Sequence, residues 1–456
     1  MPQISKIKYS DVLEARRYDA EYFKPEYLKD DNALEKIGYY NLSSISNVKW
    51  WKRLPLWEDF SPEWVPYIRA EDIKNSFVQY ENVPRISEDL HKKLFAYQTK
   101  KEDVLLTIVW NSVWDVWIVK FKLDKCNLTE NASKITKLKE INSDALFAYM
   151  LSKYGQNQIH REKVWTAQPK LALDRIRKFK IPKLSEKFQN DISNLVKLSN
   201  QKQTQSKQLY NEAEELILQE LGLLDYTPKH SLTFSITKKE INEAKRYDAE
   251  YFQPKYYDII EKIENYKWGF DAVWNIFKRK KGIEVGSEAY TDDWKGFVRV
   301  SDFTINGVES VSKKISENYF EEIKKNYQPK KWEILFTKDG TIGISYVLKE
   351  EVEWILSWAF LRLTLKENYK DYEKECLALI LNSVMCKLQV EQLSWGALIA
   401  HLKPSDFEKF KIPLIKPEIQ SQIAQKIQES HRLRKESKEL LEEAKRNVEY
   451  EIENNY

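Results

Sequence analysis

The chain has 456 residues, 32% of them charged, and a formal net charge of +4. That length holds two or three domains with sizeable cores, and no apolar run approaches the ~18 residues of a membrane span. The mild basicity permits nucleic-acid binding without requiring it, because local clusters matter more than the total.

The opening stretch "MPQISKIKYSDVLEARRYD" is polar throughout, so no signal peptide is read and a cytoplasmic protein is expected. Cys126, Cys376 and Cys386 show no CxxC spacing and read as reduced, buried thiols. Eleven glycines against fifteen tryptophans is an unusual balance, since average glycine usage is about 7%.

In chain order the first marker is "EARRYDAEYFKPEY" at 14–27, which returns as "EAKRYDAEYFQPKY" at 243–256 with eleven of fourteen positions identical. "VPYIRAEDIKNSFV" (65–78) parallels "GFVRVSDFTINGVE" (296–309), and "VLLTIVWNSVW" (104–114) parallels "EILFTKDGTIG" (333–343). "RKFKIPK" (177–183) returns as "EKFKIPL" (408–414). Markers that keep nearly the same separation across each half mean a duplicated unit of about 230 residues, which excludes a short solenoid period.

Within each unit, "DVLLTI", "VWIVKFKL", "EILFT", "ISYVLK" and "FLRLTL" read as strands among turns and short helices, an α+β domain. Lys-Ile-Pro then precedes a long helical stretch. A 3–4 spacing runs through Ile192, Leu195, Ser199, Ser206, Leu209, Ala213, Leu216 and Glu220. It recurs through Ile419, Ile423, Ile427, Ser430, Ser437, Leu441, Ala444, Val448 and Ile452. Narrow apolar seams in polar helices are the pattern of a coiled coil. The serines and glutamines in the seams suggest that each helix needs the other as partner. The expected divisions are 1–183 and 237–414 for two globular domains, 184–224 and 415–456 for the long helices, and 225–236 for a linker.

This arrangement resembles the specificity subunit of type I restriction–modification systems. The resemblance rests on "RYDAEYF" in both halves, on "KRLP" before "VPYIRAEDI", and on "RKKGIEVGSEAY" before "FVRVSDFT". "ILFTKDGTIGISYVLK" and "KFKIP" before each helix complete the ordered set, which spans nearly the whole chain. It implies two homologous target recognition domains, each reading one half of a split double-stranded DNA site. Two long helices would form an antiparallel coiled coil between them, in a pseudo-twofold internal repeat, and would dock two modification (methyltransferase) subunits. It further implies restriction (translocase and nuclease) subunits in the same complex. S-adenosylmethionine, ATP and magnesium would belong to those partners and not to this chain.

Members of that family carry a loop of the form T-x-x-G-[TS]-x-G after the "LLT" or "LFT" strand. The second half keeps it in Thr337, Gly340, Thr341 and Gly343, whereas the first half has Trp110 and Trp114 after Thr107. Similar exchanges stand at 50, 51, 57, 64, 165, 294, 332, 354, 358 and 395. Glycine adopts the positive φ such loops use, and tryptophan does so only with strain. UGA lies one base from GGA, so the expectation is that most of these positions are UGA codons read as glycine. Core packing and base stacking are the alternative roles for the indoles, Trp117 included.

No catalytic signature is present: neither a Walker loop nor GxGxxG between strand and helix, no N-P-P-[YF], and no HExxH among histidines 91, 160, 230, 401 and 431. A non-catalytic DNA-binding subunit is expected. Lys52 and Arg53, and in the second half Lys278, Arg279, Lys280 and Lys281, recur at the start of each globular domain and could neutralise phosphates, although a solvated basic loop reads the same way. Candidates for base readout, from the resemblance, are Thr107, Asn111 and Ser112 in one loop and Thr337, Lys338, Asp339 and Thr341 in the other. A second set is Gln168 and Lys170, matched by His401 and Lys403 before the second Lys-Ile-Pro. Each is as readily a structural turn residue. The alternatives to the restriction–modification reading are an orphan bipartite DNA-binding protein, a nucleotide-binding enzyme and a coiled-coil scaffold.

Overall fold

The computed structural model describes residues 4–49, 60, 64–74, 77–78, 83–109, 114–120, 126–163, 170–292, 294–394 and 400–454, and every structural statement below concerns those residues. The chain divides into two compact units, Met1–Gln203 with Lys435–Tyr456, and Thr204–Arg434.

In the first unit, a four-stranded antiparallel sheet has the order Asn47–Lys49, Ala132–Thr136, Val104–Thr107, Val116–Ile118. Val104–Thr107 lies inside it and is buried at every position, which is why "VLLT" reads as a continuous apolar run and not as an alternation. A smaller sheet pairs Val65–Ile68 with Arg85–Ile86 and, in parallel, with Asn127–Leu128. Trp117 is buried among Ile68, Leu105 and Leu128, so this indole is a core residue of the chain. Helix Ser143–Leu151 is capped by Asn142, whose side chain accepts from the Ala145 amide. Lys153–Glu162 follows at once; Gly155 is fixed there by packing, since a Cβ would meet the Tyr149 carbonyl at 2.4 Å.

The second unit repeats this plan. Its four-stranded antiparallel sheet has the order Phe277–Lys281, Phe360–Leu365, Ile334–Thr337, Ser345–Val347. A second sheet pairs Lys295–Val298 with Lys313–Ile315 and, in parallel, with Trp354–Leu356. Lys-Ile-Pro forms a short strand in both units. Lys180–Pro182 pairs with Tyr39–Asn41, and Lys411–Pro413 with Phe270–Ala272, in matching registers that begin Tyr39↔Pro182 and Phe270↔Pro413.

The long helices are Glu186–Glu220 and Pro417–Asn454, and each unit takes part of both. In the first unit Ile192 and Val196 share a core with Leu441, Ala444, Val448 and Ile452. Partners descend along one helix as they ascend along the other: Ser199 meets Ser437 and Lys202 meets Glu436, so the segments run antiparallel. In the second unit Ser206 meets Ser430 and Glu212 meets Lys426 in the same sense, and Ala213 and Ile217 share a core with Ile423 and Ile427. The fold is thus α+β, built twice, with antiparallel long-helix pairing inside each unit. One detail of the seam differs from expectation. Val196 and Ile217 are fully buried, whereas Leu195 and Leu216 flank them half-buried. Neighbouring positions both satisfy a 3–4 spacing, and packing selects between them.

Left-handed backbone occurs at Gly38, Gly222, Gly269, Gly307, Gly340 and Gly343, and also at three tryptophans: Trp64 (φ 107), Trp294 (φ 102) and Trp332 (φ 70). Among the described residues no single helix is long and apolar enough to cross a membrane.

Candidate nucleic-acid interface

In both units the loop after the central strand begins with the same device. The Thr107 amide donates to the Asp115 carbonyl at 3.0 Å, and its hydroxyl bridges the Asp115 carbonyl and amide at 3.2 and 3.1 Å. The Thr337 amide donates to the Ile344 carbonyl at 3.0 Å, and its hydroxyl accepts from the Ile344 amide at 2.9 Å. Both threonines are completely buried. Their hydroxyls are committed to closing the loop, so Thr107 and Thr337 build the loop and do not face a ligand. Gly340 (φ 70) and Gly343 (φ 89) supply the left-handed turns in the second unit. Thr341 between them is exposed.

The two sequence-predicted sets of readout residues come together. The segment before Lys-Ile-Pro returns to bridge the loop: Val109 pairs with Lys170 in the first unit, and Asp339 with His401 in the second. Flanking bonds match, Leu171 N to the Ile108 carbonyl and Leu402 N to the Lys338 carbonyl, both 2.9 Å. The backbone scaffold is the same, but the side chains differ. The first unit offers half-buried Val109 and exposed Lys170. In the second, the Lys338 ammonium pairs with the buried Asp339 carboxylate, whose other oxygen lies 2.6 Å from His401 Nδ1. Trp358 covers this cluster, with Lys338 Nζ 4.2 Å from its ring centroid and the His401 ring stacked at 6.2 Å. Lys338 and Asp339 are therefore buried, His401 is partly exposed, and Lys403 is exposed beside them. Asn111, Ser112 and Gln168 lie outside the described residues.

The basic cluster of the second unit forms the edge strand Phe277–Lys281, exposed from Lys278 onward. Register places Lys281 opposite Leu361 and Leu361 opposite Phe336, so this strand ends at the same end of the sheet as the Thr337 loop. The chain beyond it presses against the loop region: a Cβ on Gly282 would lie 2.1 Å from the Ser357 carbonyl, and only glycine fits. Arg279 is engaged by Glu408 at 2.6 Å, whereas Lys278, Lys280 and Lys281 point their charge at solvent. Lysines on an exposed edge also discourage strand-to-strand aggregation, and that role is compatible with contacting phosphates. In the first unit Asn47–Lys49 is the corresponding edge strand; Lys52 and Arg53, which follow it, lie outside the described residues.

Asp115 beside the first loop was not singled out in the sequence. Burial pushes its carboxyl up to about 6. Only its place just after the loop, eight residues beyond Thr107, marks it. Among the described residues no group of three histidines, cysteines or acidic residues is placed to hold a metal ion.

A family model described as the type I restriction modification DNA specificity domain matches twice, at residues 35–215 and 275–445. No curated protein sequence matches the chain significantly. Among solved structures, the S subunit of a type I restriction–modification system from M. genitalium is 13% identical, over 91% of this chain and 95% of that one, with a TM-score of 0.41. The HsdS subunit from Thermoanaerobacter tengcongensis is 11% identical, over 92% and 97%, with a TM-score of 0.28. A chain from a study of complex assembly and conformational transition in the type I R-M system is 14% identical, over 92% and 98%, with a TM-score of 0.29. With two copies of its domain accounting for most of the length, the chain belongs to the family of type I restriction modification DNA specificity domains.

Proposed function

We propose that this chain is the specificity subunit of a type I restriction–modification complex, and that each unit reads one half of a bipartite, asymmetric site in double-stranded DNA. The observation that carries this reading is the bridged loop, built on one scaffold in both units but edged with half-buried Val109 and exposed Lys170 in one and with exposed Thr341 and Lys403 and partly exposed His401 in the other. Equal scaffolds give equal placement on a duplex. Different donors and acceptors select different base edges.

The chain does no chemistry of its own. Two modification subunits bring S-adenosylmethionine, and the restriction subunits joined through them bring ATP and magnesium. Lys278, Lys280 and Lys281 contact phosphates and set orientation, a sequence-independent contribution. An orphan bipartite DNA-binding protein is the second reading, with the same DNA contacts and no enzyme partners. The test is methylation mapping with the reconstituted complex. Thr341→Ala with His401→Ala should change the preferred bases in one half-site by about 1–3 kcal/mol of discrimination and leave the other half-site intact. Unchanged preference in both half-sites would refute the assignment.

A further inference from the structure

The segment that recurs with the greatest identity is also among the most exposed. In the first unit the Arg17 guanidinium forks the Asp19 carboxylate at 2.6 and 2.7 Å and lies 4.9 Å over the Tyr22 ring. In the second, Arg246 forks Asp248 at 2.6 and 2.7 Å and lies 4.9 Å over Tyr251. The preceding helices, Tyr9–Ala15 and Lys238–Ala244, both end in a left-handed residue at φ 53, Arg16 and Lys245. Each fork straddles one tyrosine that the fold leaves in solvent, Tyr18 at 78% exposure and Tyr247 at 86%. Phe23 and Phe252 are buried, which explains their identity by packing; Tyr18 and Tyr247 have no such explanation. Exposed segments ordinarily drift faster than the elements they join, and the bridged loops of the two units have indeed diverged.

We propose that the segments around Tyr18 and Tyr247 are two copies of one docking surface, each engaging a copy of the same partner protein. Tyrosine and arginine are enriched among the residues that anchor protein–protein interfaces. The partner's chemistry follows: an apolar slot for the phenol ring, with hydrogen-bonding groups at its rim for the Arg–Asp fork. On the proposed function, on which this inference rests, the partner present twice is the modification subunit. The test is native mass spectrometry of the co-purified complex. The unmodified chain should carry two modification subunits, Tyr18→Ala or Tyr247→Ala one, and the double variant none, with the thermal unfolding of each variant unchanged. A double variant that still carries two would overturn the docking surface. An unmodified chain that carries none would instead overturn the functional reading beneath it.

A second inference comes independently from the backbone. Among the described residues, every non-glycine residue with positive φ other than Trp64 and Trp294 lies between 53 and 70°, inside the small left-handed region open to L-residues. Trp64 (φ 107) and Trp294 (φ 102) lie beyond it, where the chain otherwise places glycines such as Gly307 (φ 96). The two are equivalent, each preceding the strand that opens the smaller sheet, Val65–Ile68 or Lys295–Val298. Both indoles are largely exposed, at 52% and 66%, so no burial offsets the strain. Trp332 (φ 70), at the turn before Ile334–Thr337, shares its φ with Glu102 and stays inside the region open to L-residues.

We infer that codons 64 and 294 are UGA and that the source cell inserts glycine there. Trp117, packed in a core, is not included. Reading these codons and sequencing the corresponding peptides of the protein from its source cell decides the matter. Glycine is expected at both, and tryptophan in the peptides or UGG in the gene overturns it. In purified chains, Trp64→Gly with Trp294→Gly should raise the unfolding temperature. No rise would remove the strain argument.

Discussion

Ser199 and Ser437 exchange hydrogen bonds across the paired long helices of the first unit: each hydroxyl donates to the other's carbonyl at 2.8 Å, with 3.0 Å between the two oxygens. Both side chains are buried. Small residues let the backbones approach, and each hydroxyl is satisfied by the opposite helix. Replacing either serine by leucine should therefore cost about 1–3 kcal/mol through overpacking. Serine-to-alanine at either position removes one hydroxyl-to-carbonyl bond and leaves the other hydroxyl its backbone acceptor, so each should cost about 1 kcal/mol. Denaturant unfolding of the parent and the variants gives the comparison; alanine variants as stable as the parent would show that the bonds are incidental.

Arg362 is the largest fully buried side chain, and its guanidinium grips Glu333 at 2.7 and 2.9 Å while donating to the Asn326 carbonyl at 3.0 Å. Arg362→Leu strands a buried carboxylate and should cost about 3–5 kcal/mol. Arg362→Leu combined with Glu333→Leu should recover much of that loss. Thermal melts of the single and double variants test it, and a double variant no more stable than the single would contradict the account.

Asp115 gives a pH signature. Its carboxyl ionises at about 6 in the folded chain because burial disfavours the charge, whereas an unfolded aspartate ionises near 3.9. Its contribution to stability is complete below the unfolded value and is lost as pH rises through the folded one. Asp115→Asn should match the parent at pH 3.5 and exceed it by on the order of 2 kcal/mol at pH 7. Equal stability at pH 7 would mean that the carboxylate is solvated.

The basic edge strand has an ionic-strength signature. Changing Lys278, Lys280 and Lys281 together to glutamine should weaken DNA binding by a similar factor for all sequences. The logarithmic salt dependence should flatten by roughly 0.9 for each phosphate that is no longer neutralised. Arg279, already paired with Glu408, should contribute less. A slope that does not change would place this strand away from DNA.

How much of this could be read in advance depends on what holds each residue. The duplication, the strands around "VLLT" and "ILFT", and the long helices were legible because periodicity and repetition are local properties of sequence. The seam slipped by one position at Val196 and Ile217 because a 3–4 spacing admits neighbours, and only the partner helix decides between them. Burial of Lys338 and Asp339 was not legible: it requires Trp358 and His401, twenty and more than sixty residues away, to arrive on the same loop. Arg362 was hidden for the same reason, since nothing in "FLRLTL" announces the Glu333 carboxylate from the turn before another strand.

The short ribbons at Tyr39↔Pro182 and Phe270↔Pro413 have an evolutionary consequence. They bring the beginning and the end of each globular region side by side in the same register, so two crossovers in the gene, one at each strand of a ribbon, would lift out everything between as an intact cassette. A foreign cassette that kept the three-residue ribbon could be grafted without altering the helices on either side. On the proposed function, new combinations of half-sites could thus arise by shuffling, with no need for stepwise redesign of a binding surface.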